Sequence, residues 1–218
     1  MDAPTRTLRI EATDATLDGD LTLPVGAVGI VAFAHGSGSS RRSARNRTVA
    51  LGLQRDGLAT LLFDLLTPAE GRLDERTRSY RFDVALLARR LSDVAAWLAA
   101  QPDTRPLPLG LFGASTGAAA ALVTAARRPD LVRAVVSRGG RPDLAGDALH
   151  AVRSPTLLVV GERDTVVLEL NREALRALPA SSRLELVPRA GHLFEEPGAL
   201  ETVTRLASDW FVTQMRTT

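Results

Sequence analysis

The chain has 218 residues, 45% of them hydrophobic and 24% charged, a balance that argues against disorder and is ordinary for a globular protein. Its positive charge is carried by arginine alone, 27 residues against 25 acidic ones, so a net charge of only +2 produces an isoelectric point near 10.2. The acids are interspersed among the arginines, which argues against a nucleic-acid-binding face, and the absence of cysteine excludes disulfides, a thiol nucleophile and thiolate metal sites.

The N-terminal run Met1-Asp2-Ala3-Pro4-Thr5-Arg6 lacks the basic and apolar regions of a signal peptide. No apolar stretch approaches the ~20 residues needed to span a bilayer. A cytoplasmic protein without membrane association is expected, and no linker divides the chain, so residues 1–218 read as a single domain.

Thr7–Ala12 and Leu17–Leu23 read as an antiparallel hairpin turned near Leu17–Asp20 or slightly earlier. A buried strand, Gly29–Ala34, then runs into His35-Gly36-Ser37-Gly38-Ser39-Ser40. The helix Ala44–Arg55 follows, with Arg41, Arg42, Arg45 and Arg47 crowding its start. That cluster reads as a solvated face, with capture of a carboxylate or phosphate by arginine forks as the alternative.

After the strand Ala59–Phe63, Thr67–Arg81 is the longest stretch without periodicity, a loop expected to overhang a site with Tyr80 and Phe82 as lining. Phe82–Ala100 is the clearest helix: Leu86, Leu87, Arg90, Leu91, Val94, Trp97 and Leu98 recur at helical spacing until Pro102 ends it. The strand Leu107–Phe112 leads into Gly113-Ala114-Ser115-Thr116-Gly117 and an alanine-rich helix to Arg127. The strand Ala134–Ser137 precedes Arg138, a second arginine placed to receive an anionic substrate. Thr156–Val160, the helix Val167–Ala177, Arg183–Val187 and the helix Gly198–Thr213 complete the alternation. Near-continuous apolar strands between helices predict a doubly wound, mostly parallel sheet of about eight strands, with its ligand site beyond their carboxyl ends.

G-x-S-x-G between a strand and a helix is the context in which a serine hydroxyl is presented on a sharp turn. The following helix N-terminus aims backbone N–H groups at the place where an oxyanion would form. His192, in Arg189-Ala190-Gly191-His192-Leu193-Phe194, and Asp164, in Gly161-Glu162-Arg163-Asp164, fall at the same sheet edge in the order Ser, Asp, His. Such a set lets an imidazole take the hydroxyl proton while a carboxylate fixes its tautomer. Asp164 has a competing use as a helix cap, and Asp64, Asp143 and Asp147 also follow strands. His35 reads as a structural residue that holds its loop. No cluster has metal-ligand spacing, so no metal or cofactor is expected.

With those pieces placed, the chain resembles the α/β-hydrolase superfamily, and most nearly its small, lidless dienelactone-hydrolase-like members. The residues that carry the resemblance are His35-Gly36-Ser37-Gly38, Gly113–Gly117, Gly161-x-x-Asp164-x-x-Val167 and Ala190-Gly191-His192. It implies Ser115, Asp164 and His192 as catalytic triad and Ser37 and Thr116 as oxyanion-hole residues. The short connection from Arg138 to Pro155 implies no cap domain. Dienelactone hydrolases proper use cysteine at the elbow and this chain has serine, so the implied reaction is the broader one, hydrolysis of small carboxylic esters. Thioester hydrolysis or acyl transfer on the same residues, and a non-catalytic ligand-binding module, are the alternatives. The expected partner is a small-molecule ester, with Arg45, Arg138 and Tyr80 as candidate substrate contacts, and sequence leaves the oligomeric state open.

Overall fold

A computed structural model describes residues 3–216; Met1, Asp2, Thr217 and Thr218, where the leader and domain readings begin or end, lie outside the described residues. Among the described residues eight strands form one sheet: β1 (Thr5–Glu11), β2 (Thr16–Thr22), β3 (Ile30–Ala34), β4 (Ala59–Phe63), β5 (Leu109–Ala114), β6 (Val132–Arg138), β7 (Thr156–Gly161) and β8 (Arg183–Val187). Their order is β1-β2-β4-β3-β5-β6-β7-β8, parallel from β4 onward, with β2 antiparallel to both β1 and β4. Among the described residues no separate cap domain is evident. The link after β6 is a short 3₁₀ segment, Pro142–Ala151, packed between neighbouring helices.

Among the described residues six helices cover the sheet: α1 (Ala44–Arg55), α2 (Pro68–Thr77), α3 (Val84–Ala100), α4 (Thr116–Arg127), α5 (Thr165–Ala177) and α6 (Ala199–Arg216). Alternate residues of each strand feed opposite layers. Ile30, Ala32 and Ala34 pack toward α3, α4 and α5, whereas Val31 and Phe33 pack toward α1 and α6. α4 is buried all round from Thr116 to Ala125, and its run of alanines lets it pack closely against the sheet and α3.

Three expectations need correction. Thr67–Arg81 is not irregular, because Pro68–Thr77 is helical. Its start is set by Thr67, whose hydroxyl accepts from the Glu70 amide while Glu70 accepts from the Thr67 amide, with Pro68 pre-set for the first turn. The hairpin turns at Ala12–Ala15, where the Ala12 amide donates to the Ala15 carbonyl at 2.8 Å, and Leu17–Asp20 lies inside β2. β5 begins at Leu109, two residues late, and the Pro108 carbonyl accepts from Ile30 instead.

Arg90, on the apolar stripe of α3, is 1% exposed and fully employed. It bonds both Glu70 oxygens at 2.7 and 2.8 Å, the Leu65 carbonyl at 2.9 Å and Asp14 at 3.2 Å, tying α3 to α2 and to the β1–β2 turn. Its hydrogen bonds hold the Glu70 carboxyl below its ordinary range, and Arg89 followed by Arg90 does the same for Asp14. Carboxylates with depressed folded values contribute stability above their unfolded pKa of about 4, lost as pH falls through the folded values. Arg90→Met is therefore expected to cost about 3 kcal/mol at pH 7 by leaving Glu70 unpaired. The loss should shrink between pH 5 and pH 2. Thermal melts of both proteins across that range check it, and a pH-independent difference would refute the assignment.

Candidate active site

The carboxyl ends of β3, β5, β6, β7 and β8 lie along one edge, and each chemically interesting residue sits just beyond one of them. Ser115 occupies the turn between β5 and α4 with φ 51° and ψ −120°, a backbone state that costs a non-glycine residue of order 1–3 kcal/mol. Surrounding structure enforces it: the Ser115 amide donates to the Arg138 carbonyl, and the Ser115 carbonyl accepts from Ala118 and Arg141. The turn is that tight because Gly113 meets the α4 backbone at Ala118 and Gly117 meets the end of β3.

His192 Nδ1 and Asp164 Oδ2 are 2.6 Å apart. A neutral imidazole donates Nδ1–H to that carboxylate and keeps its Nε2 lone pair free. Asp164 occupies the N-cap position of α5 but makes no capping bond, so its side chain serves His192 and not the helix. The histidine loop is itself pinned by carboxylates: Glu162 accepts from the Arg189 amide and Glu196 from the Gly191 amide, at 2.8 and 2.9 Å. Ser115 and His192 line one 140 Å³ pocket. Among the described residues Ser115 Oγ forms no hydrogen bond, a common state for such pairs before substrate binds.

Ser37 and Thr116 meet through their hydroxyls at 3.0 Å, and among the described residues neither backbone amide has an acceptor. His35 carries the loop they sit on. Its Nδ1 donates to the Gly36 carbonyl and its Nε2 accepts from the Leu65 amide, both at 3.0 Å. Burial lowers its pKa and keeps the ring neutral, which that bonding pattern requires.

The arginine cluster divides. Arg42 and Arg47 are exposed, and Arg41 is surrounded by Asp18, Asp20 and Asp64. Arg45 lines the small pocket and pairs with Glu195 at 3.2 Å. Arg138 lines it too, 9% exposed. Tyr80 does not reach either cleft at this edge. Asp74 accepts from the amides of Tyr80 and Arg81 and ion-pairs with Arg81, so the chain folds back with Arg81, not Tyr80, facing the neighbouring 550 Å³ cleft. Phe82 points away as well and is 57% exposed. Ser39, from the glycine-rich loop, also lines the small pocket, as do Ser43 and Asn46, which no motif flags.

Among the described residues no group of acidic, histidine or cysteine side chains is placed to hold a metal ion, and no helix is long and apolar enough to cross a membrane. The model of the alpha/beta hydrolase domain matches residues 27–209. The chain belongs to that family. It is similar to a dienelactone hydrolase from Anabaena variabilis, with 56% identity, a TM-score of 0.97 and coverage of 99% of this chain and 100% of that one. It also matches two Mycobacterium tuberculosis proteins (strains CDC 1551 and H37Rv), 60% identical over 205 residues, whose name, phosphoribosyl transferase, is provisional. The match covers 94% of this chain and 45% of those relatives, so the chain spans under half their length. Est1E from Butyrivibrio proteoclasticus shares the fold at 15% identity, a TM-score of 0.79 and coverage of 96% and 98%. The chain is thus a dienelactone-hydrolase-like α/β hydrolase.

Proposed function

We propose that the chain is a single-domain serine hydrolase that cleaves esters of small carboxylic acids through an acyl-enzyme. Ser115 is the nucleophile, His192 the base, Asp164 the residue that orients it, and the Ser37 and Thr116 amides the oxyanion donors. The observation that carries this is the 2.6 Å Asp164–His192 bond beside a pocket shared with a strained Ser115. A carboxylate on Nδ1 leaves Nε2 as the only basic position, and it is the one available to a serine proton.

In the reaction Ser115 Oγ bonds to the ester carbonyl carbon as its proton passes to His192 Nε2. The carbonyl oxygen becomes an oxyanion that accepts from the two unpaired amides, each worth about a hundredfold or more in rate. Collapse breaks the bond to the alcohol oxygen, which takes the proton from His192. Water then repeats the sequence, releasing the acid and restoring Ser115. His192 is 39% exposed at its side chain, which gives water access to the acyl-enzyme and supports hydrolysis over transfer to a bulky acceptor. The transferase named for the mycobacterial relatives belongs to proteins more than twice the matched length, and none of these roles depends on it.

The test is a fluorophosphonate probe read by intact mass. Wild type should gain one adduct and Ser115→Ala none. A folded wild type that stays unlabelled would mean a ligand-binding module without an activated serine.

A further inference from the structure

Arg138 is anomalous among the buried arginines. Arg90 has two carboxylates and Arg41 three, yet the side chain of Arg138, a residue only 9% exposed, makes no hydrogen bond or ion pair among the described residues, and its Nη1 is wholly buried without a partner. The charge that acts on it is another cation, Arg45. Burial, with Arg45 second, lowers its pKa to about 10, so it remains a cation at neutral pH. A fold that neutralises its other buried guanidinium groups has left this one open, and the opening faces the nucleophile. Arg138 pairs in register with Ala114, one residue before Ser115, on a strand about 4.8 Å away.

The pocket that holds it is small. At 140 Å³ against 550 Å³ for the neighbouring cleft, it suits the smaller part of an ester. Its lining includes Arg45 and Asn46, each with a buried polar atom (Nε and Oδ1) that has no partner. The larger cleft, which shares Ser37 with this pocket, offers no comparable buried cation: Arg41 and Arg81 there already hold Asp64 and Asp74, and Arg42 is exposed to solvent.

Resting on the serine-hydrolase reading above, we infer that the small pocket receives the acyl group and that this group ends in a carboxylate, held by Arg138 with Arg45 beside it. The alcohol part then lies toward the larger cleft. A guanidinium matches a carboxylate with two parallel hydrogen bonds, and a site built for that partner rejects a neutral isostere strongly because its own charge is left unpaired. A CH₂CH₂CO₂⁻ arm, with five non-hydrogen atoms, is a small acyl group of this kind.

The experiment compares kcat/KM for 4-nitrophenyl hemisuccinate with that for its neutral isostere, 4-nitrophenyl 4-methylpentanoate, after subtraction of the uncatalysed rates. Wild type should prefer the acid at least tenfold. Arg138→Met should bring the ratio to one or below, and Arg138→Lys should restore part of it. In buffer Arg138→Met should melt higher than wild type, because an unpaired buried charge has been replaced by a matching apolar chain. Succinate should raise the melting temperature of wild type only. Equal turnover of the two esters by a labelled wild type, a preference that survives Arg138→Met, or an Arg138→Met protein that fails to fold would each overturn the inference. Protection by inorganic phosphate in place of succinate would overturn the carboxylate assignment. If wild type neither labels nor cleaves either ester, the hydrolase reading itself falls and takes this one with it.

Discussion

His192→Ala is expected to lower kcat for a short acyl ester by about 10⁵–10⁶-fold, as much as Ser115→Ala, and the double variant should lose no more than either single one. Nucleophile and base act in one proton transfer, so removing the second member of a broken unit costs nothing further. Asp164→Asn is the more discriminating change. Asparagine caps a helix as well as aspartate does, so a residue that only starts α5 would tolerate it. Here the side chain makes no capping bond and instead accepts from His192 Nδ1 at 2.6 Å. An amide can donate there and hold the imidazole in the wrong tautomer, so kcat should fall about 10⁴-fold while the melting temperature stays close to wild type. Steady-state kinetics of the four proteins, each with a thermal melt, decide the matter. Losses that multiply in the double variant, or an Asp164→Asn protein with near-normal turnover, would remove these residues from the roles proposed.

What could be read from the sequence followed from how strongly each segment's pattern reflects its burial. β4 has the expected bounds and α1 runs from Ala44 to Arg55 as predicted, because a fully buried apolar strand and an Asn46–Val49–Leu53 face admit few other arrangements; β8 also has its expected bounds, although of its five residues only Val187 is buried. α2 was invisible to periodicity because it buries only Asp74 and so carries no apolar stripe, although Thr67, Pro68 and Glu70 spelled out its cap. Asp18-Gly19-Asp20 looked like a turn and is a strand. A Cβ at Gly19 would stand 3.2–3.3 Å from the side chains of Ile10, Leu61 and Leu8, so glycine there makes room for packing across β1 and β4. In the site, Ser115, Asp164 and His192 could be found because each follows a strand with glycine nearby. Asn46 could not, since it reaches the pocket from the first turn of a helix whose only visible signal is amphipathic. For Arg138 the sequence supplies the position, and only the three-dimensional arrangement shows that no carboxylate among the described residues answers its charge.

The elbow's glycines are where sequence motif and sheet geometry meet, and Gly117 is the sharper test. A Cβ at Gly117 would lie 2.2 Å from the Ala34 carbonyl oxygen and 2.5 Å from that of His35, both backbone atoms at the end of β3. No rotamer change relieves such a contact. Either α4 lifts away from the sheet, or β3 shifts and carries the His35–Ser37 loop with it. α4 is buried on all sides through Ala125, so the first course opens the core. Gly117→Ala should therefore cost about 3 kcal/mol or more, a fall of roughly 6–12 °C in melting temperature for a protein of this size. Activity should fall at least about a hundredfold even in the molecules that remain folded, because Thr116 and Ser37 approach one another across that same contact and a displacement of ~1 Å misplaces both amides. Gly71→Ala is the matched control. Gly71 lies inside α2 with no atom within 4 Å of the added carbon, so alanine should stabilise the protein by about 0.5–1 kcal/mol through helix propensity alone. Melting curves and fluorophosphonate labelling of the two variants separate the cases. A Gly117→Ala protein that melts and labels like wild type would mean that β3 and α4 are not held at this distance, and that the amides of Ser37 and Thr116 are not brought together by the elbow.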